Sequence, residues 1–142
     1  MGMASFNDQI IDAFRANDGV VGQHWEGKTL VLLHHVGRRS GKEYVTPLVA
    51  APDGAAYIVC ASLGGAPDDP QWVANLESAD GPATIELGPA TFAVEYEVVR
   101  PDDPRWADLY SIWRDYWPDA REYEKKTDRK FPVVRLQVPP SA

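Results

Sequence analysis

The chain has 142 residues, the length of one ordinary domain, and its 44% hydrophobic and 25% charged residues are typical of a soluble globular protein. This composition excludes a disordered chain, a collagen-like repeat and a disulfide scaffold. The formal net charge of −7 repels nucleic acid, so binding to DNA or RNA is not expected.

Neither a membrane helix nor a secretion signal is apparent in the sequence. No uncharged apolar run approaches the roughly 20 residues that a membrane helix needs, and the first residues lack the basic start and apolar middle of a signal peptide. The one cysteine, Cys60, cannot form an internal disulfide, as is usual in a reducing compartment. We therefore expect one domain, residues 1–142, in the cytoplasm. Whether it is a monomer or a homodimer, and whether it contacts membranes, stays open.

Hydrophobic periodicity and turn residues predict the elements in chain order. They are a helix over 5–17, strands over 29–36, 44–51 and 56–61, a glycine-rich break at 62–67, a helix over 70–78, a hairpin of strands 84–87 and 91–98, a helix from 105 to 117 with a further turn over 119–126, and a strand over 131–138. The first three strands are expected to form an antiparallel meander. Pro47 indicates an edge strand or a bulge, because proline cannot donate to the ladder. Asp68 or Asp69 is the expected cap of the helix over 70–78.

The order of these elements predicts the fold class. About six strands, with helices that do not alternate strictly with them, favour a mainly β, α+β fold. We predict a six-stranded antiparallel barrel with peripheral helices. A barrel of that size has no open pore, so a ligand must bind in a groove on its flank.

Two glycine-containing segments are candidates for ligand binding. In the turn over 37–42, the glycines free the backbone while Arg38, Arg39 and Lys42 suit a small anion. The segment over 61–67 lies between a strand and a helix, where backbone amides can bind anions or ring carbonyls. The alternatives are an ordinary hairpin turn for the first and a simple change of chain direction for the second.

Aromatic residues form a third candidate region. Trp106, Tyr110, Trp113 and Trp117 recur at helical spacing and share one face. This face either packs against the barrel or covers a flat aromatic ligand near its end.

Metal and nucleophile chemistry have little support. His34 and His35 are adjacent on a strand and point to opposite faces, so they cannot ligate one metal together. Cys60 lies in mid-strand, where a buried thiol is usually inert. No serine triad is recognisable. We expect no metal site.

The motifs, taken in order, resemble the deazaflavin-dependent nitroreductase family, also called the F-420-dependent quinone reductases. The resemblance covers nearly the whole chain, and its motifs are Gly37-Arg38-Arg39-Ser40-Gly41-Lys42, Thr46-Pro47-Leu48, Asp53-Gly54, Ala61-Ser62-Leu63-Gly64-Gly65-Ala66-Pro67, Pro70-Gln71-Trp72-Val73-Ala74-Asn75-Leu76 and Thr127-Asp128-Arg129-Lys130-Phe131-Pro132-Val133-Val134.

This resemblance implies a split β-barrel that binds coenzyme F-420, a reduced 8-hydroxy-5-deazaflavin, in a flank groove. The coenzyme would deliver a hydride from C5 to a quinone-like or nitroaromatic acceptor. Because the coenzyme carries the hydride chemistry, no residue is assigned a catalytic role.

The resemblance also implies which residues form the site. Those for the phosphate and acidic tail would be Arg38, Arg39, Ser40, Gly41 and Lys42. Those for the ring would be Thr46, Pro47, Leu48, Ala61, Ser62, Gly64 and Gly65, with Trp72 and Asn75 closing the site. Those on the substrate side would be Trp117, Ala120 and Tyr123.

The chain departs from the family pattern at several positions. Tyr44 and Leu63 stand where relatives often carry basic residues, and Ala120 replaces a substrate-side tyrosine. A charged hydrogen bond contributes roughly 1.5–3 kcal/mol, so the loss of two charges weakens the binding of an anionic cofactor unless Lys42 or His35 compensates. The alternative is a non-catalytic split-barrel protein that binds F-420, a hydrophobic small molecule or a lipid. FMN or haem binding is a third interpretation.

Overall fold

The computed structural model describes residues 6–22 and 25–139. Within these residues lie four α-helices and seven strands. In chain order they are α1 (Phe6–Ala16), β1 (Leu30–Val36), β2 (Glu43–Val49), β3 (Ala51–Asp53), β4 (Ala56–Cys60), α2 (Gln71–Ser78), β5 (Ala83–Leu87), β6 (Ala90–Val99), α3 (Trp106–Tyr116), α4 (Ala120–Glu124) and β7 (Val133–Gln137). Residue 5, the predicted start of the first helix, lies outside the described part.

The strands form a mainly antiparallel sheet that curls into a barrel-like shape, as predicted. Its strand order is β2-β1-β5-β6-β7-β4-β3. The strands β2 and β3 lie at opposite ends of this order, although only Ala50 separates them in the chain. One continuous segment therefore belongs to both edges, and it draws the two ends of the sheet together.

Two predictions about the strands were wrong. The segment over 44–51 was expected to be one strand, but it divides at Ala50, so the described chain has seven strands and not six. The first three predicted strands do not form a meander, because β2 pairs with β1 whereas β3 pairs with β4. Local periodicity continues through Ala50, and only long-range pairing separates the two halves. Pro47 lies on edge strand β2 opposite Leu32, as its chemistry requires.

Side chains of β1 point alternately to the two faces of the sheet and so belong to two hydrophobic clusters. Leu30 and Leu32 pack against Phe14 and its neighbours on α1, whereas Val31 and Leu33 face the barrel interior. Each fully buried aliphatic side chain of this kind contributes about 1.5–3 kcal/mol to folding. The first helix is thereby held on the flank of the barrel.

Charged groups fix α1 further. The Arg15 guanidinium donates to both carboxylate oxygens of Glu86 on β5, at 3.0 and 2.7 Å. His34 Nε2 lies 2.7 Å from the same carboxylate. The described helices include none that is long and apolar enough to cross a membrane.

The predicted cap of α2 was wrong. Pro70 occupies the N-cap position, with no side-chain capping bond. Asp69 instead accepts hydrogen bonds from Arg100 at 3.1 Å and from Arg129 at 2.6 Å. Its carboxylate is engaged by these two long-range partners, which the local sequence does not reveal.

Candidate functional site

Two adjoining cavities open on the flank of the barrel beneath the first turn of α1. The neutral cavity, of about 400 Å³, is lined by Phe6, Asn7, Ile10, Trp25, Leu30, His35, Thr46, Pro47, Leu48, Val49, Cys60, Ser62, Leu63, Gly64, Gln71, Trp72, Trp113, Trp117 and Tyr123. The basic cavity, of about 590 Å³, is lined by Asn7, Asp8, His35, Gly37, Arg38, Arg39, Ser40, Tyr44, Val45, Thr46, Gln71 and Asn75. Because Asn7, His35, Thr46 and Gln71 line both, the two cavities meet there.

Most of the site residues expected from the sequence line these cavities. Those in the basic cavity are Arg38, Arg39, Ser40, Thr46 and Asn75. Those in the neutral cavity are Thr46, Pro47, Leu48, Ser62, Gly64, Trp72, Trp117 and Tyr123. Two segments that are far apart in sequence, the basic turn and the glycine-rich turn, are thus brought to one groove.

Five of the expected residues do not line either cavity among the described residues: Gly41, Lys42, Ala61, Gly65 and Ala120. Ala61 and Ala120 are completely buried in the core, and Gly65 lies against the backbone of Tyr123. These three support the walls of the groove from behind. Gly41 and Lys42 belong to the exposed tip of the basic turn.

The basic turn carries charge that no acidic side chain among the described residues neutralises. Every other arginine of the chain lies within 4.0 Å of a carboxylate. In the described chain, Arg38 and Arg39 have no such partner, although the protein carries a formal net charge of −7. Two uncompensated guanidinium groups in one concave surface favour an anionic ligand. Asp8 lines the same cavity and is the one acidic side chain among its described lining residues.

Asn75 fixes the orientation of Arg38. The Oδ1 atom of Asn75 accepts hydrogen bonds from the Arg38 backbone N–H at 3.1 Å and from its Nη1 at 2.9 Å. Gln71 Oε1 accepts from Arg38 Nη2 at 2.8 Å. Both partners are neutral amides, so they position the guanidinium without cancelling its charge.

The same Asn75 determines the tautomer of His35. Because Asn75 Oδ1 accepts from Arg38, its Nδ2 must donate to His35 Nδ1, which lies 3.1 Å away. The neutral His35 ring therefore carries its proton on Nε2 and donates to Thr46 Oγ1 at 2.9 Å. The Thr46 hydroxyl proton is left free to donate at the junction of the two cavities. Sequence reasoning gave His35 only a compensating role, and nothing local indicates this chain of contacts.

We expect the stability of the protein to fall between neutral and mildly acidic pH because of His35. Burial, and secondarily the neighbouring His34, lowers the pKa of His35 in the folded chain. Below about pH 6.5 the unfolded chain therefore binds a proton that the folded chain resists, so its stability decreases until the folded pKa is passed. Between pH 7.5 and 5.5, the free energy of unfolding measured with urea should decrease more for the wild type than for His35→Gln. Equal losses would contradict a neutral His35.

The neutral cavity has aromatic walls and no charged side chain among its described lining residues. All of the chain's five tryptophans except Trp106 line it. Trp117 Nε1 donates to the hydroxyl of Tyr123 at 3.2 Å, and burial raises the pKa of Tyr123, so this hydroxyl keeps its proton. The indole N–H of Trp113 is buried and has no hydrogen-bond partner among the described residues. Such a space suits a neutral, flat molecule.

Cys60 lies in the wall of the neutral cavity but is not suited to nucleophilic chemistry. Burial raises the pKa of its thiol well above the ordinary value, so the sulfur stays protonated. The described residues also contain no group of three or more histidine, cysteine, aspartate or glutamate side chains that could hold a metal ion. What the groove offers is a set of polar and aromatic surfaces that can orient and enclose ligands.

The sequence matches the family model described as F420H(2)-dependent quinone reductase over residues 8–137. It is also 35% identical over 125 residues to an F420H(2)-dependent quinone reductase of Mycobacterium tuberculosis. That alignment covers 87% of this chain and 83% of the relative. Both matches span the basic turn, the glycine-rich turn and the aromatic helix.

Solved structures share the fold. An F420-H2 dependent reductase superposes with a TM-score of 0.63 and 25% identity, over 75% of this chain and 92% of that one. A heme binding protein from Mycobacterium smegmatis has a TM-score of 0.56 and 19% identity, over 89% of this chain and 51% of its own, a likeness of fold alone. On the family match and the similarity to the mycobacterial relative, the chain belongs to the F420H(2)-dependent quinone reductase family.

Proposed function

We propose that this protein transfers a hydride from reduced coenzyme F-420 to a neutral quinone or a similar electron-poor aromatic acceptor. One observation carries the proposal: a basic cavity with uncompensated arginines opens into a neutral, aromatic cavity. A cofactor with an anionic tail and a planar ring needs both kinds of surface in this order. Membership of the family supports the same assignment.

The basic cavity fits the tail of the coenzyme. Arg38 and Arg39 offer guanidinium groups to its phosphate and acidic groups, and Ser40 adds a hydroxyl. Lys42 lies at the tip of the same turn and extends the positive field along the tail. Tyr44, which stands where relatives often carry a basic residue, stacks on His35 with ring centroids 5.7 Å apart. At this position the chain therefore offers an aromatic surface where a charge is often found.

The ring fits at the junction of the cavities. Thr46, Pro47 and Leu48 of edge strand β2 form one wall, and the turn containing Ser62 and Gly64 forms another. The free hydroxyl proton of Thr46 and the backbone amides of the turn provide donors for oxygen and nitrogen atoms on the ring edge. Trp72 closes the wall between them.

The acceptor fits at the aromatic end of the neutral cavity. Trp117 and Tyr123 present flat surfaces and one phenolic donor, and Trp113 lies beside them in the same wall. Ala120 is buried behind these rings, so it shapes the cavity only indirectly. An acceptor between this wall and the ring is held face to face with it, which is the orientation that hydride transfer requires.

When bound, reduced F-420 supplies the hydride. The residues of the groove bind the two partners, hold them in stacked contact and exclude water from between them. The protonated hydroxyl of Tyr123 offers a hydrogen bond to a carbonyl oxygen of the acceptor, where negative charge develops as the hydride arrives. We expect the reaction to take place in the cytoplasm.

Fluorescence titration tests the binding step. Because all but one of the tryptophans line the neutral cavity, oxidised F-420 should quench most of the protein's fluorescence with micromolar affinity, and FMN should not compete. Reduced F-420 should then be oxidised when menadione is added. Saturable binding of F-420 without hydride transfer to menadione or a nitroarene would indicate a carrier protein. Absence of F-420 binding would refute the proposal altogether.

The neutral cavity also predicts a preference among acceptors. Burying a sulfonate there without a cationic partner costs several kcal/mol, so charged quinones should be poor substrates. We expect kcat/KM for 1,4-naphthoquinone to exceed that for its 2-sulfonate by roughly tenfold or more. The ratio should be measured at high salt as well, since a difference that vanishes there would reflect only repulsion by the acidic surface.

A further inference from the structure

Arg129 binds the glycine-rich turn from behind. It lies between α4 and β7, and its guanidinium donates to three carbonyl oxygens of the turn: Ala61 O from Nη1 at 3.1 Å, Ser62 O from Nη2 at 2.9 Å and Ala66 O from Nε at 3.0 Å. The side chain is only 14% exposed. It does not line either cavity among the described residues.

These contacts help to fix which way the amides of the turn point, together with the turn's own bonds from Gly65 N–H to Ser62 O at 2.9 Å and from Ala66 N–H to Leu63 O at 3.1 Å. The chain contains no cis peptide bond among its described residues, and in a trans peptide the C=O and the following N–H point in opposite directions. Since Ala61 O and Ser62 O are directed at Arg129, the N–H groups of Ser62 and Leu63 are directed away from it. Neither N–H has an acceptor within residues 6–22 and 25–139. Ser62 and Leu63 both line the neutral cavity.

The turn needs this support because its backbone is unfavourable. Leu63 has φ +46°, a left-handed conformation that a leucine rarely adopts, and it is 58% exposed, so packing does not hold it there. It is followed by Gly64 and Gly65, which also have positive φ. Two internal backbone bonds restrain the turn, but its two glycines still leave the peptide planes more freedom than other residues would, and Arg129 restricts that freedom.

A second network keeps Arg129 itself in place. Asp69 accepts from Arg129 Nη1 at 2.6 Å and from Arg100 Nη1 at 3.1 Å, and Arg100 also binds Glu77 on α2. Arg100 thus shares the same carboxylate, but within the described part of the chain it donates only to Glu77 and Asp69 and not to a carbonyl of the turn. Comparing substitutions at Arg129 and Arg100 therefore separates the effect on the turn from the effect on the surrounding ion pairs.

We propose that Arg129 is a positioning residue for the cofactor, which holds the Ser62 and Leu63 amides toward the neutral cavity as donors to the ring edge. This inference rests on the proposed function and assigns a role to a residue outside the groove. Leu63 takes part through its backbone, so its apolar side chain does not weaken the contact. Affinity for the ring then depends on an arginine that never touches it.

The test compares Arg129→Met, Arg129→Lys and the control Arg100→Met, each checked for folding by circular dichroism. Dissociation constants for oxidised F-420 are measured on the folded protein by tryptophan fluorescence. Two misdirected amide donors should weaken binding by roughly 10- to 100-fold in Arg129→Met. Arg129→Lys, whose single ammonium cannot reach three carbonyls, should be intermediate. Arg100→Met should stay within about threefold of the wild type. A fourth variant, Arg129→Ala, also checked for folding, should partly regain binding when guanidinium ion is added at millimolar concentration.

The outcomes are distinguishable. Folded Arg129 variants that bind F-420 like the wild type would overturn the positioning role and leave the proposed function intact. Equal losses in the Arg129 and Arg100 variants would also overturn it, because they would point to general destabilisation. If Arg129→Met does not fold, Arg129→Lys and the guanidinium rescue decide the question. A wild-type chain that does not bind F-420 would refute the proposed function and this role together.

Discussion

Replacing Arg39 by alanine is expected to weaken F-420 binding by about 10- to 100-fold, and replacing Arg38 and Arg39 together by roughly 10²- to 10⁴-fold. Each arginine offers a charge-assisted hydrogen bond worth about 1.5–3 kcal/mol to an anionic tail. Neither is neutralised by a carboxylate in the described chain, so nearly all of that interaction is available to the ligand. Arg39→Ala is the cleaner single change, since Arg38 also binds Asn75 and Gln71.

The control for this prediction is Arg135→Ala. It removes the same charge from the chain, but Arg135 lies on β7 within 4.0 Å of Asp53 and lines neither cavity. Its dissociation constant should match that of the wild type. Wild-type affinity should also fall as salt concentration rises, and the double variant should lose most of that dependence. A double variant with unchanged affinity would place the tail of the coenzyme elsewhere.

The second large effect is expected at Gly65. A Cβ atom there would lie 2.7 Å from the carbonyl oxygen and 3.1 Å from the Cα of Tyr123, and Gly65 has φ +87°. We expect Gly65→Ala to destabilise the protein by about 2–5 kcal/mol. Left-handed strain accounts for about 1–2 kcal/mol, and displacement of the α4 backbone for about 1–3 kcal/mol. Because Tyr123 lines the neutral cavity, kcat with menadione should fall as well.

Gly64→Ala separates these two contributions. Gly64 also has positive φ, +65°, but an added Cβ would meet nothing within 4 Å. Only the conformational strain applies to Gly64→Ala, so its free energy of unfolding, measured with urea, should fall by about 1–2 kcal/mol. If both variants lose the same stability, the contact between the glycine-rich turn and α4 does not contribute to folding. The turn that faces the cofactor would then not be coupled to Tyr123 on the acceptor side of the neutral cavity.

The sequence indicated the two turns that line the groove, but not the contacts that organise them. Arg38 and Arg39 stand out locally because two basic residues between glycines are unusual in an acidic chain. Their lack of carboxylate partners in the described chain depends on the tertiary structure and cannot be seen in the local sequence. The aromatic face that begins on α3 was open to two interpretations. Its residues pack in one hydrophobic cluster, and Trp113 and Trp117 also line the neutral cavity, whereas Trp106 does not. That the face covers a flat ligand stays a prediction.

Residues in or directly behind the groove that the sequence left unassigned share one feature. Asn7, Gln71 and Arg129 are ordinary polar residues in their local surroundings, and each reaches the site from a separate part of the chain. Asp69 was one of two residues expected to cap α2, with Asp68, but it accepts hydrogen bonds from two arginines instead. A capping motif is judged from neighbours in sequence, whereas ion pairs are formed by neighbours in space.

The sequence by itself determined most of the elements, the mainly antiparallel fold and the two turns that line the groove, because side-chain periodicity and glycine placement act over a few residues. Tertiary structure alone decided where the strand over 44–51 divides, since β2 and β3 pair with different strands. It also decided the His35 tautomer and the direction of the Ser62 and Leu63 amides. These depend on hydrogen bonds from Asn75 and Arg129, which are 40 and 67 residues away from His35 and Ser62 in the chain.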